Sequence, residues 1–278
     1  MTVALRFSPT ICALIATILL QLMPLIALAG PYEDGMAALD RGDYSTALRL
    51  FRLLSDSGSA AAQNNLGRMY ERGQGLPQDY IEALKWYRKA ADQGLPEAAT
   101  NIGTLYQKGL GVTQDYSEAL TWYRKGAEQG SVEAEHSLGV MYRNGRGVTQ
   151  SDAQAIEWYR KAASGGFAES AFNLGLMYSG GRGVPRDDAK AIEWFLKAAN
   201  QGFAPAQINL GVLYERGQGV PKDFVQGYKW LSLSTSRFHE SDREYRDKAL
   251  AMREALAKLM TPAEIAEAER LVRDWKAK

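Results

Sequence analysis

Residues Leu66–Gly94 read LGRMYERGQGLPQDYIEALKWYRKAADQG, and the chain writes this stretch again at a fixed interval. Gly67 recurs as Gly103, Gly139, Gly175 and Gly211. Tyr70 recurs as Tyr106, Tyr142, Tyr178 and Tyr214, and Trp86 as Trp122, Trp158, Trp194 and Trp230. Every step is 36 residues, with no insertion or deletion across five copies. A period between about 20 and 50 residues marks stacked units, because one unit alone cannot bury its apolar face. The fold class that follows is all-α: an α/α solenoid of helix–loop–helix repeats.

Each copy divides into two helices. In the first copy the leading helix is expected over about Ala60 to Glu71, with Leu66, Met69 and Tyr70 at the three-and-four spacing of one buried face. It stops at Gly73-Gln74-Gly75. The second helix starts at Asp79, turns Ala83, Leu84, Tyr87, Ala90 and Ala91 inward, and ends before Gly94. Asp79, Asp115, Ser151, Asp187 and Asp223 share the position where a short polar side chain accepts from free backbone N–H groups. Glu82, Glu118, Gln154 and Gln226 follow three residues later, which predicts a capping box in four copies; Lys190 breaks it in the fourth. Gly94, Gly130, Gly166 and Gly202 fall where a left-handed helix terminus favours glycine, and Phe238 ends the series. Gly67 and its copies lie inside a helix, at a cost of about 0.5–1 kcal/mol relative to alanine. Five repetitions of that cost imply a close helix crossing, with Ala83, Ala119, Ala155, Ala191 and Gly227 as the expected partners.

The units fall at 60–95, 96–131, 132–167, 168–203 and 204–239. Residues 30–59 form a shortened N-terminal partial repeat, since Asp43, Tyr44, Ala47, Leu48 and Gly58 match the second half of the unit. Residues 240–278 change pattern. Thr261-Pro262-Ala263-Glu264 is a helix start, and Ile265, Ala268, Val272 and Trp275 share one face of the helix after it. This segment is the expected C-terminal helical cap over the last repeat.

The first 29 residues read as a signal peptide. Arg6 supplies a basic start, Ile11 to Met23 is almost wholly apolar, and Ala27-Leu28-Ala29 offers a cleavage site before Gly30. The competing reading, an uncleaved anchor, suits the run less well, because Gln21 and Pro24 interrupt it. The one cysteine, Cys12, lies inside this segment, so a cleaved chain has neither disulfide nor thiolate. Loss of Arg6 leaves 32 basic against 32 acidic residues, a balance that points to no nucleic-acid partner. Export, most simply to a bacterial periplasm, is the expected destination.

The A-x-x-x-L-G-x-x-Y start, the G-x-G loop and D-Y-x-E-A-L-x-W-Y-x-K-A-A-x-Q-G together resemble the Sel1-like repeat family over residues 32–239. That resemblance implies an α/α solenoid related to tetratricopeptide repeats, and an adaptor or scaffold role without catalysis. Some exported relatives carry a disulfide in every repeat and are linked to β-lactam binding. A cell-envelope hydrolase or β-lactam-binding protein is therefore the alternative reading, but the cysteines it rests on are missing here.

Chemistry-bearing residues are sparse. Beyond the leader the chain has two histidines, His136 and His239, and no cysteine, so no metal or other cofactor is expected. The G-x-G loops lack the preceding strand that phosphate binding requires and read as turns. The tryptophans read as inter-repeat core or wall. Better candidates are Asn65, Asn101, Asn173 and Asn209, with Ser137 in the third copy. In tetratricopeptide repeats the matching place faces the concave groove and can bind peptide backbone or a terminal carboxylate. Amides that both donate and accept suit that role; equally, they could bond the neighbouring repeat's backbone. Two flanking registers vary between copies: Asn64, Thr100, His136, Phe172, Ile208, and Arg68, Thr104, Val140, Leu176, Val212. A protein or peptide partner with an apolar anchor near Phe172, Leu176, Ile208 and Val212 is the expectation, unless those side chains only support the cap.

Overall fold

In each unit the apolar positions at helical spacing and the glycines between them produce two helices joined by a short loop. The computed structural model describes residues 30–235 and 243–277, among which are fourteen helices and no strand. The proposed signal segment, Phe238 and His239 lie outside the described residues. The opening unit pairs α1 (Pro31–Asp40) with α2 (Tyr44–Asp56). The repeats follow as α3 (Ala60–Arg72) and α4 (Tyr80–Asp92), α5 (Pro96–Lys108) and α6 (Tyr116–Glu128), α7 (Val132–Asn144) and α8 (Asp152–Ser164). Next come α9 (Ala168–Gly180) and α10 (Asp188–Asn200), then α11 (Ala204–Arg216) and α12 (Phe224–Thr235). The cap is α13 (Arg243–Ala257) and α14 (Pro262–Asp274). Helix α1 is shorter than the leading helices after it, 10 residues against 13.

The in-helix glycines do mark a close approach: the expected partners Ala83 and Gly227 come near with their carbonyl oxygens, but the nearest atoms belong to a larger side chain. A Cβ on Gly67 would stand 2.7 Å from two ring carbons of Tyr87 and 3.2 Å from the Ala83 carbonyl oxygen. Tyr123, Tyr159 and Phe195 meet Gly103, Gly139 and Gly175 in the same way, and Leu231 meets Gly211. The glycine is thus a slot for a buried ring one turn beyond the small residue. Burying such a ring is worth about 1.5–3 kcal/mol, more than the helix cost of the glycine.

The expected capping boxes are half formed. Asp79 accepts from the backbone N–H groups of Ile81 and Glu82, and Asp115, Ser151, Asp187 and Asp223 cap their helices likewise. The return bond is absent because the N–H it would use is already donated. Asp79 N–H goes to the Tyr70 carbonyl at 2.9 Å, and the four equivalents go to Tyr106, Tyr142, Tyr178 and Tyr214 at 2.9–3.0 Å. This explains why Lys190 is tolerated where a box would need a carboxylate or amide. A complete box forms only at Thr261 and Glu264, ahead of α14, among the described helix starts.

Neighbouring repeats are joined by contacts that recur. Arg88, Arg124 and Arg160 donate to the hydroxyls of Tyr106, Tyr142 and Tyr178 in the next repeat, at 2.8, 2.8 and 2.6 Å. The following position is Leu196, so the junction of the fourth and fifth repeats has no such rung. The second glycine of each G-x-G loop leans on the preceding repeat: a Cβ on Gly111 would lie 2.7 Å from the Tyr80 Cβ. Those loops are structural turns at left-handed φ, 69° and 68° for Gly109 and Gly111. Trp86, Trp122, Trp158 and Trp194 are half-buried, each packed on the preceding interface with a lysine over its ring, so they form wall rather than core. Trp230 alone of the five is buried. In the cap, Ala268 and Ile265 meet Leu231, Leu256 and Met260, while Val272 and Trp275 reach the core of the last three repeats.

Candidate binding groove

The leading helices α3, α5, α7, α9 and α11 line one face of the stack. Helices α5 and α7 also touch each other directly, across the intervening α6. At that junction the leading-helix side is the more closely spaced one, as a concave face would be. Asn65, Asn101, Asn173 and Asn209 all sit on it, yet their amides do not form one ladder. Asn65 Nδ2 donates to the Tyr32 hydroxyl at 2.9 Å, and Asn101 Nδ2 donates to Asn64 Oδ1 at 3.0 Å. Asn173 Oδ1 accepts from Arg143 at 3.3 Å, whereas Asn209 turns back to its own helix at Pro205 O. Ser137 likewise bonds its own helix, at Glu133 O.

At the N-terminal end three hollows adjoin, of about 150, 240 and 270 Å³, and Arg68 borders all of them. Asn65 lines two and Asn64 two; these side chains are buried at 3 % and 8 % exposure. Arg72, one turn beyond Arg68, completes the basic side of two of them. Neither guanidinium has an ion-pair or hydrogen-bond partner among the described residues. The carboxylate beside them on α3, Glu71, instead accepts from the Tyr87 hydroxyl at 2.5 Å. Burial and this bond raise the Tyr87 pKa, against the pull of the two arginines. Arg72 escapes a reading of single registers; its signal is the basic pair at one-turn spacing.

Toward the C-terminus two registers of the face become apolar, and their four candidate residues separate into two kinds. Phe172 packs against the rings of Phe195 and Phe203, at 5.7 and 5.3 Å between centroids, and Ile208 packs against the cap. Leu176 is 37 % exposed, and Val212 lines a hollow of about 300 Å³ with Asn209, Arg216 and Gln218. That hollow is the fifth-repeat counterpart of the one bordered by Asn65, Arg68, Arg72 and Gln74.

Midway, His136 sits in a polar and aromatic niche. Its Nδ1 meets Ser170 Oγ at 2.8 Å, its Nε2 lies 3.6 Å from Glu169, and the rings of Tyr159 and Phe167 flank it. Burial pushes its pKa down, Glu169 opposes that shift, and Arg143 adds to it. Ser170 is fully buried, so this group holds two repeats together rather than offering a nucleophile. Among the described residues, no three His, Cys, Asp or Glu side chains converge as a metal site would require.

Paired helices at a fixed period, with variable side chains gathered on the inner face, define an α/α repeat scaffold. The Sel1 repeat model matches residues 25–59, 60–95, 96–131, 132–167, 168–203 and 204–237, and the chain belongs to the Sel1 repeat family. It is similar to the Sel1 repeat protein from Oxalobacter formigenes, at 33 % identity and a TM-score of 0.74, over 88 % of this chain and 100 % of that one. It is also similar to c5321, a protective antigen of uropathogenic Escherichia coli strains with an SLR fold, at 36 % identity and a TM-score of 0.70. That match covers 88 % of this chain but only 53 % of the antigen. No curated protein matches. The solenoid is of a kind typical of protein–protein interaction.

Proposed function

We propose that the protein is an exported, non-enzymatic scaffold that holds a peptide or protein segment along its concave face. Leu176 carries this reading: a large aliphatic side chain left exposed on an inner surface whose other positions change from repeat to repeat. An extended segment laid across the leading helices would place an apolar side chain against Leu176 and Val212, with Phe172 and Ile208 as the floor beneath. The leader-like start of the chain supports export, and no helix among the described residues is long and apolar enough to cross a membrane. A periplasmic location after cleavage before Gly30 follows from this reading, and N-terminal sequencing of the mature chain tests it.

The binding test falls on Leu176, because Phe172→Asp would also break the contacts with Phe195 and Phe203. Crosslinking in the native envelope followed by mass spectrometry compares wild type with Leu176→Asp. Partners captured by the wild type and lost from a variant of unchanged melting temperature are expected. The same partners at the same yield from Leu176→Asp would overturn the groove.

A further inference from the structure

Resting on that groove reading, we propose that the hollows around Arg68 and Arg72 take a carboxylate of the same bound segment, so that the groove reads a two-part ligand. An acid would seat in the first repeat and an apolar side chain in the fourth and fifth. Three observations converge. The two guanidiniums stand one turn apart without an ionic partner, and the acid beside them is engaged by Tyr87. Asn64 and Asn65 are buried at the floor; the Asn64 Nδ2 can donate to a bound carboxylate, while the Asn65 Nδ2 is taken by Tyr32 and Met36 and leaves its Oδ1 to accept from the backbone next to it. The hollows open on the same face as Leu176.

The carboxylates that border these hollows balance the arginines in the two that Glu97 lines, and leave the third, where Asp40 joins Arg68 and Arg72, with a basic excess. Glu97 and Glu133 are exposed in the first turns of α5 and α7, where a helix N-terminus stabilises negative charge. Asp40 lies at the end of α1, on the rim. They leave one basic edge and one acidic edge, which favours a single acid over a run of acids.

The register sets the spacing. Arg68 and Leu176 occupy the same position three periods apart. Helices in direct contact lie about 8–10 Å apart, and the leading helices, with a second helix between each pair, are spaced at least that far, so three steps span roughly 24 Å or more. An extended chain advances about 3.3 Å per residue, so the acid and the apolar side chain should be at least roughly seven residues apart.

The test is selection from two random peptide libraries on the purified protein, one fused at the peptide C-terminus and one ending in a free carboxylate. The first reports acidic side chains only and the second admits the chain terminus. Expected is a pool in which an acid precedes or follows an apolar residue at that spacing or longer. The same selection on Arg68→Gln with Arg72→Gln should lose the acid and keep the apolar residue. A chosen peptide should bind that variant at least roughly tenfold more weakly, the worth of one charge-assisted bond. Arg72→Gln alone, at an exposed side chain, repeats the comparison without touching packing. Pools that keep the apolar residue but show no acid, or an acid unaffected by the arginine changes, overturn the two-part ligand and leave the groove standing. Pools with neither feature, or indifferent to Leu176→Asp, overturn both.

Discussion

Replacing Gly139 by alanine tests the ring-slot packing. In an open helix this change stabilises by about 0.5–1 kcal/mol, because glycine spends more backbone entropy on folding. Here the new Cβ would lie 2.6 Å from both Cδ1 and Cε1 of Tyr159, inside the 3.0 Å that Cβ atoms tolerate. Tyr159 is fully buried and flanked by the His136 ring, so the ring has no free direction in which to retreat. Forcing a methyl into a filled core costs about 1–3 kcal/mol, which outweighs the helix gain and leaves a net loss of about 1–2 kcal/mol. For a chain of this size that corresponds to a fall of about 2–8 °C in melting temperature. Gly180→Ala, at the last residue of α9, is the unhindered control: its Cβ would meet nothing closer than the Arg182 side chain at 3.7 Å, so the smaller gain of a helix end should appear unopposed. On a Tyr159→Ala background the slot is empty, and Gly139→Ala should change sign and stabilise. Circular-dichroism melts of the four variants decide it. Equal stabilisation by Gly139→Ala and Gly180→Ala in the wild-type background would show that the ring does not require the glycine.

Two further outcomes test the joints between repeats. Arg160→Leu reproduces the residue found at 196 and removes the bond to the Tyr178 hydroxyl. It should cost about 0.5–1.5 kcal/mol in urea unfolding, and Tyr178→Phe should add little once Arg160 is gone. Fully additive effects would mean the rung contributes nothing. His136 is held below its ordinary value chiefly by burial, so the native state prefers the neutral ring. Its contribution is then complete above about pH 6.5 and declines as the pH falls from there toward the folded value. Melts between about pH 7.5 and 5 should show a steeper loss for wild type than for His136→Gln; parallel curves would remove the assignment.

The stack was legible because its determinants are local and periodic. Leu66, Met69 and Tyr70 announce one helix face, Asp79 announces a helix start, and Gly94 announces a stop at φ 87°. What could not be read depends on a second element arriving from elsewhere. Whether Glu82 closes a box depends on the Asp79 N–H, which the Tyr70 carbonyl had already claimed. The small residues Gly67 and Ala83 pointed to a close crossing, but the ring that fills it sits four residues further on. The asparagines share a register and diverge in partner, because each meets a different neighbour: Tyr32, Asn64, Arg143 or its own helix. The arginine–tyrosine rungs had a readable sign, since Arg52, Arg88, Arg124 and Arg160 recur 18 residues ahead of the repeat tyrosines.

Those rungs, slots and caps also narrow where specificity can lie. A side chain that fills a slot or closes a joint is set by the fold and cannot vary to suit a ligand. Tyr87, Asp79 and Arg88 and their counterparts are occupied in this way. Phe172 and Ile208 belong with them in part: both vary between copies, but both are braced, one by Phe195 and Phe203 and the other by the cap. Among the positions left over, with neither slot nor joint to satisfy, are Arg68 and Arg72 at one end and Leu176, Val212 and Arg216 at the other. Arg68, Leu176 and Val212 share one register, so a single line along the inner face passes from cation to aliphatic side chain. A ligand with one kind of chemistry throughout would leave one end of that line unmatched.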